Sequence, residues 1–242
     1  IWFSNIINIK NNSYVKKIKN NVILILVDSL MPKHLENTNK EKYETPNINE
    51  FFKKSIKFSN AFSQGDYTKP AISSILTGMY PIQHGLYNPR ANQRKLPRDI
   101  YTLSEILKKN EYINYCHSTC GKFLPSYNHH RGFDYFKFSA THTNQSASFE
   151  VIKNVIEFIE SFKKDNFFAL LHLTDMHPPY GEHTFLTETF SQSIRHTTPG
   201  NAYYKFKKKK DNYLVNEINN YEKHFLYRLD TNLGYLFNNL TK

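Results

Sequence analysis

The chain has 242 residues, 39% hydrophobic and 22% charged, which suits one large globular domain or part of one and excludes a disordered chain. Lys and Arg outnumber Asp and Glu 32 to 21, a formal net charge of +11 that admits nucleic acid, an anionic surface or an acidic substrate as partner. No apolar run approaches the ~18 residues of a membrane span, so a soluble domain is expected; the two cysteines, Cys116 and Cys120, lack the partner pair that a zinc knuckle or a disulfide framework needs.

Residues 1–20 read as an N-terminal extension whose apolar residues are too often interrupted by Asn and Lys for a signal peptide. Asn21 to Val27 (NVILILV) then reads as a fully buried strand of a parallel sheet, which places Asp28 at its C-terminal end. Thr45-Pro46 opens a helix through Phe52, with Thr as N-cap and Pro at the first helical position. Ile56 to Phe62 is a second strand candidate. Pro70 to Leu76 is a short helix introduced by Thr68 and Lys69 and closed by Gly78 and Pro81. Thr102-Leu-Ser-Glu105 is a capping box for a helix to about Asn110, followed by a strand from Tyr112 to His117. Ser148 to Lys163 carries Val151, Ile152, Val155, Ile159 and Phe162 on one helical face, and Phe167 to Leu173 (FFALLHL) is another buried strand. Asn88 to Pro97 and Thr184 to Lys210 are expected to be irregular. Lys207 to Lys210, beside Asp211 and Asn212, read as a solvated loop, and with no aromatic-basic module in the chain nucleic acid is not the expected partner. A long helix closes the chain from about Asn212 to Leu240.

Strands alternating with helices predict an α/β domain over residues 21–242, with a mainly parallel central sheet flanked by helices and ligands at the strand C-termini. Three polar clusters fall there: Asp28, Thr68-Lys69, and the run from His172 to Tyr180 (HLTDMHPPY). Each has a structural alternative: Asp28 as a turn cap, Thr68 as the cap of the Pro70 helix, His177 as an ordinary loop histidine. Their convergence in one layout points to a shared site. His84 reads as structural, and His172, inside a strand, as a core histidine. His172, Asp175, His177 and His183 have zinc-like spacing but no helix or hairpin to bracket them.

The runs VILILVDSL, TPNINEFFKKSIKFSNAF, TKPAISSILTGMYPIQHG, LPRDIYTLSEILKKNEY, GKF, HRGFDYF and DMHPPY, in that order, resemble the N-terminal half of the sulfatase-like branch of the alkaline phosphatase superfamily. The resemblance implies that Asp28 is the first metal-binding aspartate, that Thr68 is the nucleophile and a metal ligand, that Lys122 binds substrate, and that His177 lies near the oxygens of the transferred group. Lys69 would add charge balance on those oxygens. A carboxylate at Asp28 suits Ca²⁺, Mg²⁺, Mn²⁺ or Zn²⁺.

Four positions depart from the family pattern: Ser29 stands where a second Asp is common, Thr68 where a Cys or Ser is converted to formylglycine, Ile72 in place of an arginine, and Leu124 in place of a histidine. Threonine cannot form that aldehyde, so sulfate chemistry of the usual kind is disfavoured. Metal coordination activates a hydroxyl for phosphoryl transfer instead. The resemblance thus implies a hydrolase or transferase acting on phosphate or sulfate esters, phosphorus favoured, of an anionic small molecule, glycan or lipid head group. Its alternative is a non-catalytic or truncated homologue that binds such a group. The family's other metal ligands follow a long helix like Asn219 to Leu240, so the chain is expected to be C-terminally incomplete, the first part of a larger catalytic domain. Cytoplasm and cell envelope both stay open as compartments.

Overall fold

Runs of residues apolar on both faces make strands that a covered, parallel sheet buries, and VILILV and FFALLHL are two such runs in the four-stranded sheet here. The structure, a computed structural model, describes residues 3–4, 20–35, 43–87, 94–139, 147–177 and 212–240. In chain order these contain β1 (Phe3–Ser4), β2 (Val22–Val27), α1 (Pro46–Phe52), β3 (Ile56–Lys57), α2 (Thr68–Thr77), α3 (Pro81–His84), α4 (Leu103–Lys109), β4 (Ile113–Ser118), β5 (Tyr135–Phe138), α5 (Ala147–Ser161), β6 (Phe167–Leu173) and α6 (Asn212–Leu240). The main sheet has the order β2-β6-β4-β5 and every pairing in it is parallel. Strands β1 and β3 form a separate antiparallel pair.

Residue parity assigns the two faces, because successive strand side chains point opposite ways. Ile23, Ile25, Val27, Tyr115, Ala169, Leu171 and Leu173 face the core shared with α5 and α6. Leu24, Leu26, Cys116, Phe168 and Leu170 face the other core, where α2 contributes Ile72 and Leu76 and α4 contributes Leu103 and Leu107. The result is a sheet between two helical layers.

Helix α6 fastens the first third of the chain. Asp230, 1% exposed, accepts the backbone N–H of Ile48 at 2.8 Å and of Asn47 at 3.2 Å, capping α1 from across the molecule. Thr45 makes no side-chain cap there, so the expected Thr cap is replaced by this distant carboxylate. About two turns earlier, Glu222 Oε2 accepts from Lys33 (2.8 Å) and Tyr43 (3.1 Å) and lies 3.3 Å from His34 Nε2. The other ring nitrogen of His34 accepts the N–H of Met31 at 3.0 Å, so Nε2 carries the hydrogen toward Glu222.

The expected strand from Ile56 to Phe62 is only Ile56–Lys57; Ser59 and Asn60 turn the chain away, and among the described residues the short segment pairs with β1 alone. The helix expected from Ser148 to Lys163 runs Ala147–Ser161. The Thr102 to Glu105 capping box forms as expected, Thr102 Oγ1 accepting from the Glu105 N–H at 3.2 Å. The 88–93 and 184–210 parts of the expected irregular segments, the lysine block among them, lie outside the described residues. Among the described residues no helix is long and apolar enough to cross a membrane.

Candidate active site

Parallel register brings the chemistry together. In the sheet Leu26 pairs with His172 and His172 with Ser118. Asp28 follows β2 directly, its N–H bonded to Leu173 O at 2.8 Å. Cys120 lies just past the end of β4, where the N–H of Thr119 reaches His172 O at 3.2 Å. All three residues have the parity of the α2-facing side. Their donor atoms lie within 4.8 Å of one another, and His172 Nε2 is 3.6 Å from Asp28 Oδ2.

Helix α2 delivers Thr68 to the same point. The residue is the first of the helix, not its cap: the N-cap is Tyr67 and no side chain caps the N-terminus. Thr68 Oγ1 instead donates to Asp28 Oδ2 at 2.9 Å, which removes the reading of Thr68 as a simple helix cap. Gly65 lets the preceding loop close tightly, since a Cβ there would come within 2.7 Å of the Pro70 ring. Helix geometry leaves the first N–H groups without acceptors inside the helix, so the positive end of α2 faces the space above Asp28.

Burial alone would push the Asp28 carboxyl up, but hydrogen bonds from His172 and Thr68, the charge of His172 and a smaller contribution from His177 hold it below its usual range. Ser29, at the second-acid position, has φ of 60° and turns its hydroxyl back onto Asp28 Oδ1 at 3.3 Å. Burial pushes the Cys120 thiol up, although the N–H of Lys122, 3.4 Å from Sγ, and the Thr68 hydroxyl oppose it.

His172 is buried, as its strand position suggested, with Nδ1 3.2 Å from Ser118 Oγ. Its other nitrogen nevertheless faces Asp28, so a core position and a place in the site coincide. His177 is exposed beside them, its N–H bonded to Thr174 O at 2.9 Å. Pro178 to Tyr180 and His183 lie outside the described residues. His84 is structural, 3.0 Å from Ser74 Oγ in the core.

A cavity of about 920 Å³ opens along β2 and the start of α2, and Asp28, Ser29, Thr68, His172 and His177 line it. Lys69 and Lys122 are not in its lining. Lys69 is buried under α2, with Nζ 4.1 Å from the Tyr127 ring centroid; burial, then the charge of Lys122, lowers its pKa. Lys122 is exposed on the loop after β4. Ile72, at the place of the family's arginine, is buried in the apolar core.

Cys120 was the residue that sequence reading set aside, for want of a partner cysteine. Its signal was positional: with Asp28 and His172 it shares one parity at the ends of three strands.

Fold and site together define an α/β domain whose fold is similar to that of a protein in the alkaline phosphatase superfamily from Vibrio parahaemolyticus, with a TM-score of 0.59 and 17% identity over 91% of this chain and 50% of that one. The chain belongs to the sulfatase family, whose sequence model matches residues 20–242. It is 28% identical to the N-acetylgalactosamine-6-sulfatase of Mus musculus over 104 residues, 39% of this chain and 20% of that one. The fold is similar to that of Ps i-CgsB, with a TM-score of 0.65 and 20% identity over 92% of this chain and 55% of that one. Ps i-CgsB has also been solved in complex with k-i-k-neocarrahexaose. The lipoteichoic acid synthase LtaP from Listeria monocytogenes is similar with a TM-score of 0.62 and 16% identity over 92% of this chain and 52% of that one. The chain thus spans about half the length of these solved structures.

Proposed function

We propose that the chain carries the nucleophile half of a metal-dependent ester hydrolase or transferase, with Thr68 as nucleophile and phosphorus esters preferred over sulfate esters. The observation that carries this reading is the Thr68 hydroxyl, which leaves its own helix uncapped and donates to Asp28 at 2.9 Å in the cavity wall. The donor atoms of Asp28, Cys120 and His172 lie within 4.8 Å of one another and could hold a divalent cation, to which the Thr68 hydroxyl, bonded to Asp28 at 2.9 Å, would be a further ligand in this reading. Such a cation, when bound, would stabilise the deprotonated hydroxyl and the charge on the ester oxygens.

The chain's own residues supply the rest. Asp28 holds Thr68 Oγ1 in one orientation, aimed out of the helix start. Thr68 Oγ1 loses its proton to solvent and forms a bond to phosphorus as the bond to the leaving ester oxygen breaks, that oxygen taking a proton from solvent; water or an acceptor hydroxyl, losing its own proton, then displaces the threonine oxygen, which is reprotonated. The N-terminal N–H groups of α2 donate to the non-bridging oxygens. In this reading His177, which lines the cavity, balances charge on the oxygens of the transferred group. Lys69 and Lys122 contribute positive potential from behind α2 and from the β4 loop, and they would touch substrate only after a side-chain rearrangement. The substrate class is an anionic ester of a glycan, lipid head group or small molecule, in keeping with a sulfatase in the family and a lipoteichoic acid synthase among similar folds.

A second reading is a homologue that binds the anionic group without turning it over; its support is the buried Ile72 in place of an arginine. Metal-dependent hydrolysis of matched aryl phosphate monoester, phosphodiester and sulfate substrates by the polypeptide as its gene encodes it separates the two. The hydrolase reading expects turnover that chelator removes, faster on a phosphorus ester, and absent in Thr68→Ala. Absence of turnover on all substrates with every divalent metal favours the binding homologue.

A further inference from the structure

The chain leaves β6 through a turn that is tied down on both sides of the sheet. Strand alternation continues past Leu173, so Thr174 keeps the parity of the α2-facing side and Asp175 that of the side covered by α5 and α6. Thr119 Oγ1 donates its one hydrogen to His172 O at 3.1 Å, which makes the Thr174 hydroxyl the donor across the 2.8 Å between the two threonines. On the other side Asp175, 7% exposed, accepts the Ser148 hydroxyl at 2.7 Å and the Ser148 N–H at 3.4 Å. Ser148 Oγ in turn accepts from Asn232 Nδ2 of α6 at 2.8 Å. Resting on the reading of His177 as the group that balances charge on the transferred oxygens, we infer that Asp175 is a positioning residue. Its carboxylate, held by Ser148 at the start of α5 and through it by Asn232, fixes the turn that aims His177 into the cavity.

The restraint ends where the chemistry begins. Thr174 is tied to β4, Asp175 to α5, and Met176 is buried in the core between the sheet and α6. The N–H of His177 then closes the turn on Thr174 O at 2.9 Å, and its ring is the first in the run to be exposed and to line the cavity with Asp28 and Thr68. Three elements therefore meet in one hydrogen-bonded line, Asn232 to Ser148 to Asp175, two residues before the imidazole. Buried lines of this kind are rigid when every member is satisfied, and an error of about 1 Å in the placing of a reacting group costs up to about 100-fold in rate. The opposing picture is an Asp175 that only caps α5, leaving the direction of His177 to its own rotamer.

Two readouts separate these pictures in the polypeptide as its gene encodes it. In nuclear magnetic resonance spectra of protein made with ring-labelled histidine, the signal lost in His177→Ala is that of His177. In Asp175→Ala this signal should move or broaden while circular dichroism stays that of the wild type, and Asp175→Asn, which keeps the Oδ1 acceptor, should return it toward its wild-type place. On an aryl phosphate ester, Asp175→Ala should lower kcat about 10- to 100-fold with KM nearly unchanged, and the same substitution made in His177→Ala should lower it no further. Equal losses in the two backgrounds, or an unmoved His177 signal in Asp175→Ala, overturn the assignment and leave Asp175 as a cap of α5. Should Asp175→Ala fail to fold, Asn232→Ala, at a half-buried position, decides: a shift of the His177 signal in the same direction supports the line, and an unmoved signal overturns it. If the wild type turns over no ester with any divalent metal, the hydrolase reading fails and the ring signal alone decides the positioning; turnover with an unmoved ring signal does the reverse.

Discussion

Thr68 donates its hydroxyl hydrogen to Asp28 across 2.9 Å, joining the first residue of α2 to the end of β2. This bond fixes the direction of the one hydroxyl proposed to attack. Thr68→Ala deletes it with little cost to the helix, because alanine is a good helix former. We expect a turnover loss on the order of 10³-fold or more, the scale seen when a covalent nucleophile is removed. Thr68→Ser keeps an oxygen in place and should retain part of the activity. Steady-state kinetics with circular dichroism as the folding control checks both, and wild-type-like turnover in Thr68→Ala removes the assignment.

Glu222 makes stability depend on pH in the acid range. Burial would raise its pKa, but the hydrogen bonds from His34 and Lys33 outweigh that and hold it at about 2, below the ordinary 4.5. A depressed carboxyl stabilises the fold fully above its unfolded pKa, and that contribution disappears as pH falls from about 4.5 toward about 2. Because Lys33 is partly solvent-exposed, the contribution is on the order of 1–2 kcal/mol. Urea unfolding of the wild type should lose this increment on acidification, whereas Glu222→Gln should lack it from the start and show a flatter acid limb. Parallel curves would refute the assignment.

Asp230 offers a test of how α6 holds α1. Asp230→Ala leaves the N–H groups of Asn47 and Ile48 without their acceptor in a buried place, at a cost of about 2–4 kcal/mol. Asp230→Asn keeps one acceptor oxygen and should cost less. Thermal melts rank the variants, and equal melting temperatures for Asp230→Ala and wild type would contradict the cap.

Gly132 has φ of +80°, and a Cβ there would run into the backbone of Ser104 and Glu105. Gly132→Ala should therefore destabilise by about 1–3 kcal/mol through the positive φ, with the clash adding to it. Denaturant midpoints read this directly, and an unchanged midpoint would mean that the turn relaxes freely.

Much of the fold was legible because burial on both faces leaves a continuous apolar run. Phe167–Leu173 and Asn212–Leu240 have the bounds expected from sequence, and β2 begins one residue later than expected. Strand β5 was missed: Tyr135–Phe138 is short and mostly exposed, an edge strand whose existence depends on pairing with β4 rather than on its own pattern. Asp28, Thr68 and His177 were legible singly, and the structure brings all three to one cavity. Cys120 and the second role of His172 were not, because the two residues meet only through the β4–β6 register, which no local pattern encodes. At position 68 it is the helix-cap alternative that falls away: Ser and Thr at a helix start usually satisfy their own backbone, whereas here the carboxylate at the end of β2 takes the hydroxyl.

The non-local pairing of β2 governs when the site can form during synthesis. In the sheet, Asp28's strand has β6 as its neighbour, and the turn beyond it is tied to Glu222. A ribosome adding roughly 5–20 residues per second would present Asp28 many seconds before either support emerges. The acid end of the nascent chain must wait for distant partners, and closing so long a loop makes non-local pairing slow. The pairing of Asp28 with Thr68 in its final geometry should therefore form abruptly, once β6 and α6 have docked, rather than growing in step with chain length.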